Sequence, residues 1–230
     1  MRPVVVLGLV VTLMVAACGD DDDAEPTTTP AGPATTEGVA VSAADVGCDD
    51  VEAPTPRADG GASAPDEDLD EDLTWTLAFA TSCGTFVVTL DLESAPKTAA
   101  SLVALAEDGF YDDTTFHRIV PGFVIQGGDP TQTGGGGPGY TTIDVPAPAA
   151  SYVRGVVAMA KTAQDASGTS GSQFFVVTGA DVRLPPDYAI VGEVTAGLDV
   201  VDQIGALGDP ATEEPLRAVV LESVTVESTS

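Results

Sequence analysis

The 230-residue chain is poor in the residues that metal and nucleotide chemistry use: it has one histidine, two lysines and three cysteines. One histidine with no spare cysteine cannot assemble a zinc cluster. Two glycine-rich stretches, TGGGGPG at 133–139 and GTSGS at 168–172, lack the Lys-Ser/Thr of a phosphate loop, and the second is not the G-x-S-x-G of a serine hydrolase. Metal, nucleotide and cofactor chemistry are therefore not expected. Basic residues are scarce as a class, with 8 Lys and Arg against 36 Asp and Glu, a formal net charge of −28. Such a field repels phosphates, so neither nucleic acid nor anionic lipid is expected as an electrostatic partner. Long apolar runs are missing as well. The longest, residues 3–15, is short for a membrane span.

What is present divides the chain in three. Residues 1–18, MRPVVVLGLVVTLMVAAC, read as an export signal: Arg2 is the basic start, Pro3 to Val15 the apolar stretch, and Ala16-Ala17 the small residues before a cut. The ending VAAC resembles a bacterial lipobox, which makes Cys18 the expected lipidated N-terminus; a plain secretory signal is the alternative. A diacylglyceryl group meets the two-chain condition for stable anchoring. The predicted location is the cell membrane, lipid-anchored and facing the extracytoplasmic side. Residues 19–72 are rich in Asp, Glu, Thr, Pro and Ala, with 17 acids and one base between 20 and 72. This composition predicts a disordered tether. In an exported chain Cys48 and Cys83 are expected to pair as a disulfide, the alternative being two inert thiols.

Residues 73–230 read as one domain. LTWTLAFAT and TFVVTLDL around SCG form a predicted hairpin, and SAPKTAASLVALAEDGF a helix with Pro96 in its first turn and Gly109 at its stop. Strands are expected near 156–160, 173–178 and 188–194, a short helix at 197–207, and a final strand in RAVVLESVTV. Many short strands with two helices predict a mainly β fold, a closed antiparallel barrel.

One motif carries chemistry. FHRIVPGFVIQGGD, residues 116–129, is a hairpin turning at Pro121-Gly122 that puts Arg118 and Gln126 in one cross-strand neighbourhood. Read plainly, Arg118 is a surface charge and Gln126 a tolerated polar residue. However, GTSGSQFFVVTG repeats the theme with Gln173 beside two phenylalanines. A polar atom inside an apolar strand costs roughly 1–3 kcal/mol unless it is bonded. A guanidinium with amide and aromatic neighbours accepts a carbonyl beside an apolar ring, which is what a proline-containing peptide offers.

On these motifs the chain, from about Thr74 to Glu227, resembles the cyclophilin family of peptidyl-prolyl isomerases. The resemblance implies a closed eight-stranded antiparallel barrel capped by two helices, with its site on the outer face. It puts Arg118, Gln126 and Phe123 at the catalytic positions. Phe123, Val124, Phe175 and Leu184 then wall the proline pocket, and His117, Ala160, Gln173 and Tyr188 form its rim. The chain departs from the family at Val124 (commonly Met), Lys161 (commonly Asn), Tyr188 (His in animal members), Arg183 (Trp) and Val191 (Phe). The implied activity is rotation about Xaa-Pro bonds of exported or envelope proteins, by a monomer, with no cofactor. Two alternatives stand: a module that grips proline-containing segments with incidental turnover, and a purely structural barrel.

Overall fold

The computed structural model describes residues 47–230, so the signal segment and Cys18 lie outside the described residues. The first strands, β1 (Thr74–Thr81) and β2 (Gly84–Leu90), form a hairpin in which Phe79 faces Phe86, their rings stacked at 4.8 Å. Helix α1 (Pro96–Glu107) starts on a proline, which has no N–H to orphan at that position, and has no side-chain N-cap. Its first turn is served from a distance: Asp144 Oδ2 accepts from Thr98 N at 2.7 Å and from Thr98 Oγ1 at 2.6 Å. Burial of Ala99, Leu102, Leu105 and Ala106 on one helix face holds α1 to the core.

The chain continues through β3 (Thr114–Thr115), β4 (Arg118–Val120), β5 (Val124–Gly127), β6 (Thr142–Ile143), β7 (Val156–Met159), β8 (Thr169–Ser170), β9 (Phe174–Val177) and β10 (Ile190–Ala196) to α2 (Leu198–Gly205) and β11 (Val220–Thr229). Nine strands make one antiparallel sheet in the order β3-β11-β1-β2-β10-β7-β9-β5-β4, while β6 pairs with β8 separately. Leu77, Phe86, Ile119, Ile125, Met159, Val176, Val191 and Val224 meet in a single core, so the sheet curls around them. Val201 and Ile204 of α2 pack into the same cluster.

The eight-stranded closed barrel implied by the family resemblance is thus described as a nine-stranded curled sheet. β3 and β4 are separated in the chain only by Phe116-His117, yet they stand at opposite ends of the sheet order. Phe116 turns fully into the core there, and its N–H bonds to Val219 O at 3.0 Å.

A second expectation needs correction. Residues 47–72 are not a free tether but a strap lying along the domain. Cys48 is disulfide-bonded to Cys83 in the β1–β2 turn. Asp49 N bonds to Ser82 O (2.7 Å), Arg57 N to Pro130 O (2.8 Å), Gly60 N to Gly137 O (2.9 Å) and Ala62 N to Pro138 O (3.1 Å). The Arg57 guanidinium reaches the carbonyls of Gly109 and Phe110, and Trp75 donates its indole N–H to Asp70 O at 3.0 Å. Composition misleads here because backbone bonds and a cross-link supply what apolar burial cannot.

Candidate active site

Strand alternation sends one set of side chains to the core and the other outward. In β9 all four residues are buried, with Phe174 and Val176 inside and Phe175 and Val177 in a second cluster outside. Val124, Tyr152 and Ala158 join that outer cluster, edged by half-buried Phe123, Ala160, Leu184 and Tyr188. An apolar patch therefore lies on the outer face of the sheet.

Register then places polar groups beside it. Arg118 pairs directly with Gln126, Gln126 with Phe175, and Phe175 with Ala158. One row across the face thus runs guanidinium, amide, aromatic ring and methyl. The Arg118 side chain is 35% exposed. Its Nη1 donates to Gln126 Oε1 at 3.3 Å, Gln126 Nε2 to Gln173 Oε1 at 3.0 Å, and Gln173 Nε2 to the carbonyls of Gly134 (3.0 Å) and Gly136 (2.8 Å). Phe123 sits at the end of the β4–β5 turn, where Gly122 takes a left-handed φ of 68° and Phe123 N bonds to Val120 O at 3.0 Å.

Several supporting residues carry no signal in the motif itself. Glu213 approaches Arg118 from the loop after α2, its Oε2 lying 2.8 Å from both Nε and Nη2. Its own carbonyl accepts from Ile119 N at 2.9 Å, and its left-handed φ of 62° turns the chain back onto β4. Gly208 is required in the same loop because a Cβ there would collide with Ile119 O. Tyr152 is fully buried behind the apolar patch. Its hydroxyl donates to Tyr188 O (2.7 Å) and accepts from Tyr188 N (3.0 Å). Tyr188 in turn sets its ring edge-on to Phe175, centroids 5.6 Å apart.

Asp129 organises the glycine-rich loop. Buried at 0% exposure, its Oδ1 accepts from Thr131 N (2.7 Å) and Oγ1 (2.8 Å), and its Oδ2 from the N–H groups of Thr133 (3.0 Å), Gly134 (2.7 Å) and Gly136 (3.2 Å). Burial alone would raise this carboxyl's pKa, but the donors of Thr131, Gly136 and Gly134 outweigh it and hold the group below its usual value. Gly136 admits no substituent, since a Cβ there would strike Asp129 Oδ1. The run Asp-Pro-Thr before a glycine tract is a turn signature that could have disclosed this role. Nothing comparable marks Glu213.

Not every expected rim residue faces the patch. His117 lies under the glycine loop, 3.7 Å from the position a Cβ at Gly134 would take. Burial lowers its pKa; Asp129 opposes that shift and the Arg118 charge adds to it. Among the described residues neither ring nitrogen finds a hydrogen-bond partner of normal geometry, although the Thr115 backbone lies near enough to favour a proton. Lys161 is pinned at the patch edge, its side chain 4% exposed and its Nζ 2.6 Å from Asp187 Oδ2 and 5.4 Å from the Tyr188 ring centre. Arg183 is exposed and holds a left-handed φ of 52°. Leu184, beside it, turns into the patch.

Comparison with known proteins finds a family and relatives for the chain. Residues 76–226 match the family model described as cyclophilin type peptidyl-prolyl cis-trans isomerase. The peptidyl-prolyl cis-trans isomerase B of Streptomyces anulatus is 40% identical over 167 residues, covering 64% of this chain and 94% of that protein. The Bacillus subtilis protein of the same name is 44% identical over 108 residues, 46% of this chain and 73% of its own. Among solved structures, a Cryptosporidium parvum cyclophilin type isomerase, crystallised in the presence of the dipeptide Ala-Pro, superposes with a TM-score of 0.62 at 29% identity, covering 67% of this chain and 99% of its own.

Proposed function

We propose a role for each group of this site from one premise: the chain belongs to the cyclophilin-type peptidyl-prolyl cis-trans isomerases. Its reaction is rotation about Xaa-Pro bonds, against a barrier of about 18–20 kcal/mol set by amide resonance. In the twisted state the proline nitrogen is pyramidal and carries a localised lone pair. Arg118 donates to that lone pair, which the planar ground state does not offer, so the bond favours the twisted state alone.

Glu213 and Gln126 engage three of the five guanidinium N–H groups, leaving two for the substrate. Gln126, steadied through Gln173 by the glycine loop, receives the rotating carbonyl of the preceding residue. Phe123, Val124, Phe175 and Leu184 hold the proline ring, with Ala160 and Tyr188 at the rim. Lowering the barrier by roughly 6 kcal/mol would give about a 10⁴-fold gain, with no covalent step. The observation that carries the reading is the cross-strand row Arg118–Gln126–Phe175 beside an outward apolar patch.

The test is cis-to-trans conversion of an Ala-Pro peptide by the full chain. Arg118→Ala should lose about 100-fold or more in kcat/KM, the usual effect of removing a preorganised donor. Arg118→Lys should also be poor, because an ammonium cannot serve Glu213, Gln126 and the substrate in one plane. Normal turnover by a folded Arg118→Ala protein would sink the mechanism.

The Thr115–Asp129 bridge joins β3 to the end of β5, which favours a sheet closed into a barrel, with β3 and β4 counted as one strand. A monomer suffices for this reading, since the row Arg118–Gln126–Phe175 and the apolar patch need no residue from a second copy. The signal-like residues 1–18 and the Cys48–Cys83 bond favour an exported protein, lipid-anchored through Cys18, that assists folding in the cell envelope.

A further inference from the structure

A cavity of about 550 Å³ adjoins the proline patch, sharing Ala160 with it and Gln126 and Gln173 with the amide chain beside it. Part of its wall is Asp59 of the strap, a residue outside the 76–226 span that the family model matches. Asp59 is held in place: its Oδ1 accepts from Gly137 N at 2.7 Å, and the next residue, Gly60, bonds to Gly137 O at 2.9 Å. Its carboxylate is nonetheless exposed at the cavity mouth.

The charges around the cavity do not balance. Among the described residues that line it Lys161 is the one cation, and that ammonium is spent on Asp187 at 2.6 Å. Asp165 adds a second lining carboxylate, bonded to Thr162 N and Oγ1 at 2.8 Å and held below its usual pKa by those bonds. Asp59 and Asp165 on its wall, with Asp187 beside it on Lys161, leave an excess of two negative charges around the cavity. Because Gln126 receives the carbonyl preceding the proline, residues N-terminal to the proline are the ones that reach this cavity.

We propose that Asp59 is a specificity-determining residue of the isomerase, making the cavity beside the proline pocket prefer substrates with Lys or Arg in the residues just before the proline. The inference rests on the isomerase reading above. It adds a substrate class that the proline pocket alone does not define.

The experiment measures kcat/KM of the full chain on tetrapeptides with Lys, Ala or Glu scanned through the two positions before Ala-Pro. Lys should exceed Glu about fivefold at one of them, as expected for partly exposed charge pairs. The preference should shrink in about 1 M salt, where screening acts within roughly 3 Å. Asp59→Asn preserves an acceptor for Gly137 N while removing the charge, so its Lys-to-Glu ratio should fall toward one; Asp59→Lys should invert it. An equal ratio in the wild type and Asp59→Asn would overturn the assignment. If the wild type turns over no peptide, Ala-containing ones included, the isomerase reading fails and this inference with it.

Discussion

Replacing Asp129 by Asn exchanges one carboxylate oxygen for an NH₂ group at the one acceptor that gathers five donors in the glycine loop. The amide oxygen would occupy the Oδ2 position, where three backbone N–H groups converge. The Thr131 hydroxyl can turn to Thr133 Oγ1, already 2.8 Å away, but the Thr131 N–H is left facing a donor. That unmet group costs about 1–3 kcal/mol, and reducing three charge-assisted bonds to neutral ones costs about 1 kcal/mol each. The loss of stability should be about 4–6 kcal/mol, read from the denaturant midpoint at unchanged m-value. Turnover should fall as well, because the Gly134 and Gly136 carbonyls that hold Gln173 belong to the same loop. A loss below about 1 kcal/mol with normal turnover would refute the view that this carboxylate holds the loop and, through it, Gln126.

Three further outcomes are expected. Cys48→Ser should destabilise the protein by up to about 4 kcal/mol, the chain-entropy value for a 35-residue closure, and reductant should do the same to the wild type; denaturation curves that coincide with and without reductant would contradict this. Stability should fall in two acid steps. Folded His117 binds its proton less readily than the unfolded chain does, so stability drains as pH falls below about 6.5; the contribution of Asp129 is present above about 3.9 and is lost as pH falls through its lowered folded pKa. His117→Gln should abolish the first step only, and a pH-stability curve identical to wild type would contradict the assignment. Cys18→Ser should release the protein from membranes in a fractionation assay, and retention would sink the lipid-anchor proposal.

Much of the site was legible in order along the chain. Arg118 and Gln126 flank a Pro-Gly turn, which is enough to put them in one cross-strand neighbourhood, while their direct pairing is set by the register of the folded sheet. The two helices and the β1–β2 hairpin were legible for the same reason, since local periodicity and punctuation define them. Gln173 announced itself as an amide beside two phenylalanines, though its partner Gln126 lies 47 residues away.

The remainder depended on approaches between distant segments, which leave no local pattern. Glu213 reaches Arg118 across 95 residues, and Asp144 serves the start of α1 across 46, each by loop placement rather than periodicity. His117 and Arg118 are adjacent in the chain, yet His117, in the break before β4, lies under the glycine loop while Arg118, the first residue of β4, reaches the open face. The strap is the plainest case. Residues 47–72 carry the composition of a disordered tether, and by themselves cannot bury enough apolar surface to order. A cross-link to Cys83 and backbone bonds to the glycine loop supply that order from outside the segment, and only the folded domain presents those partners.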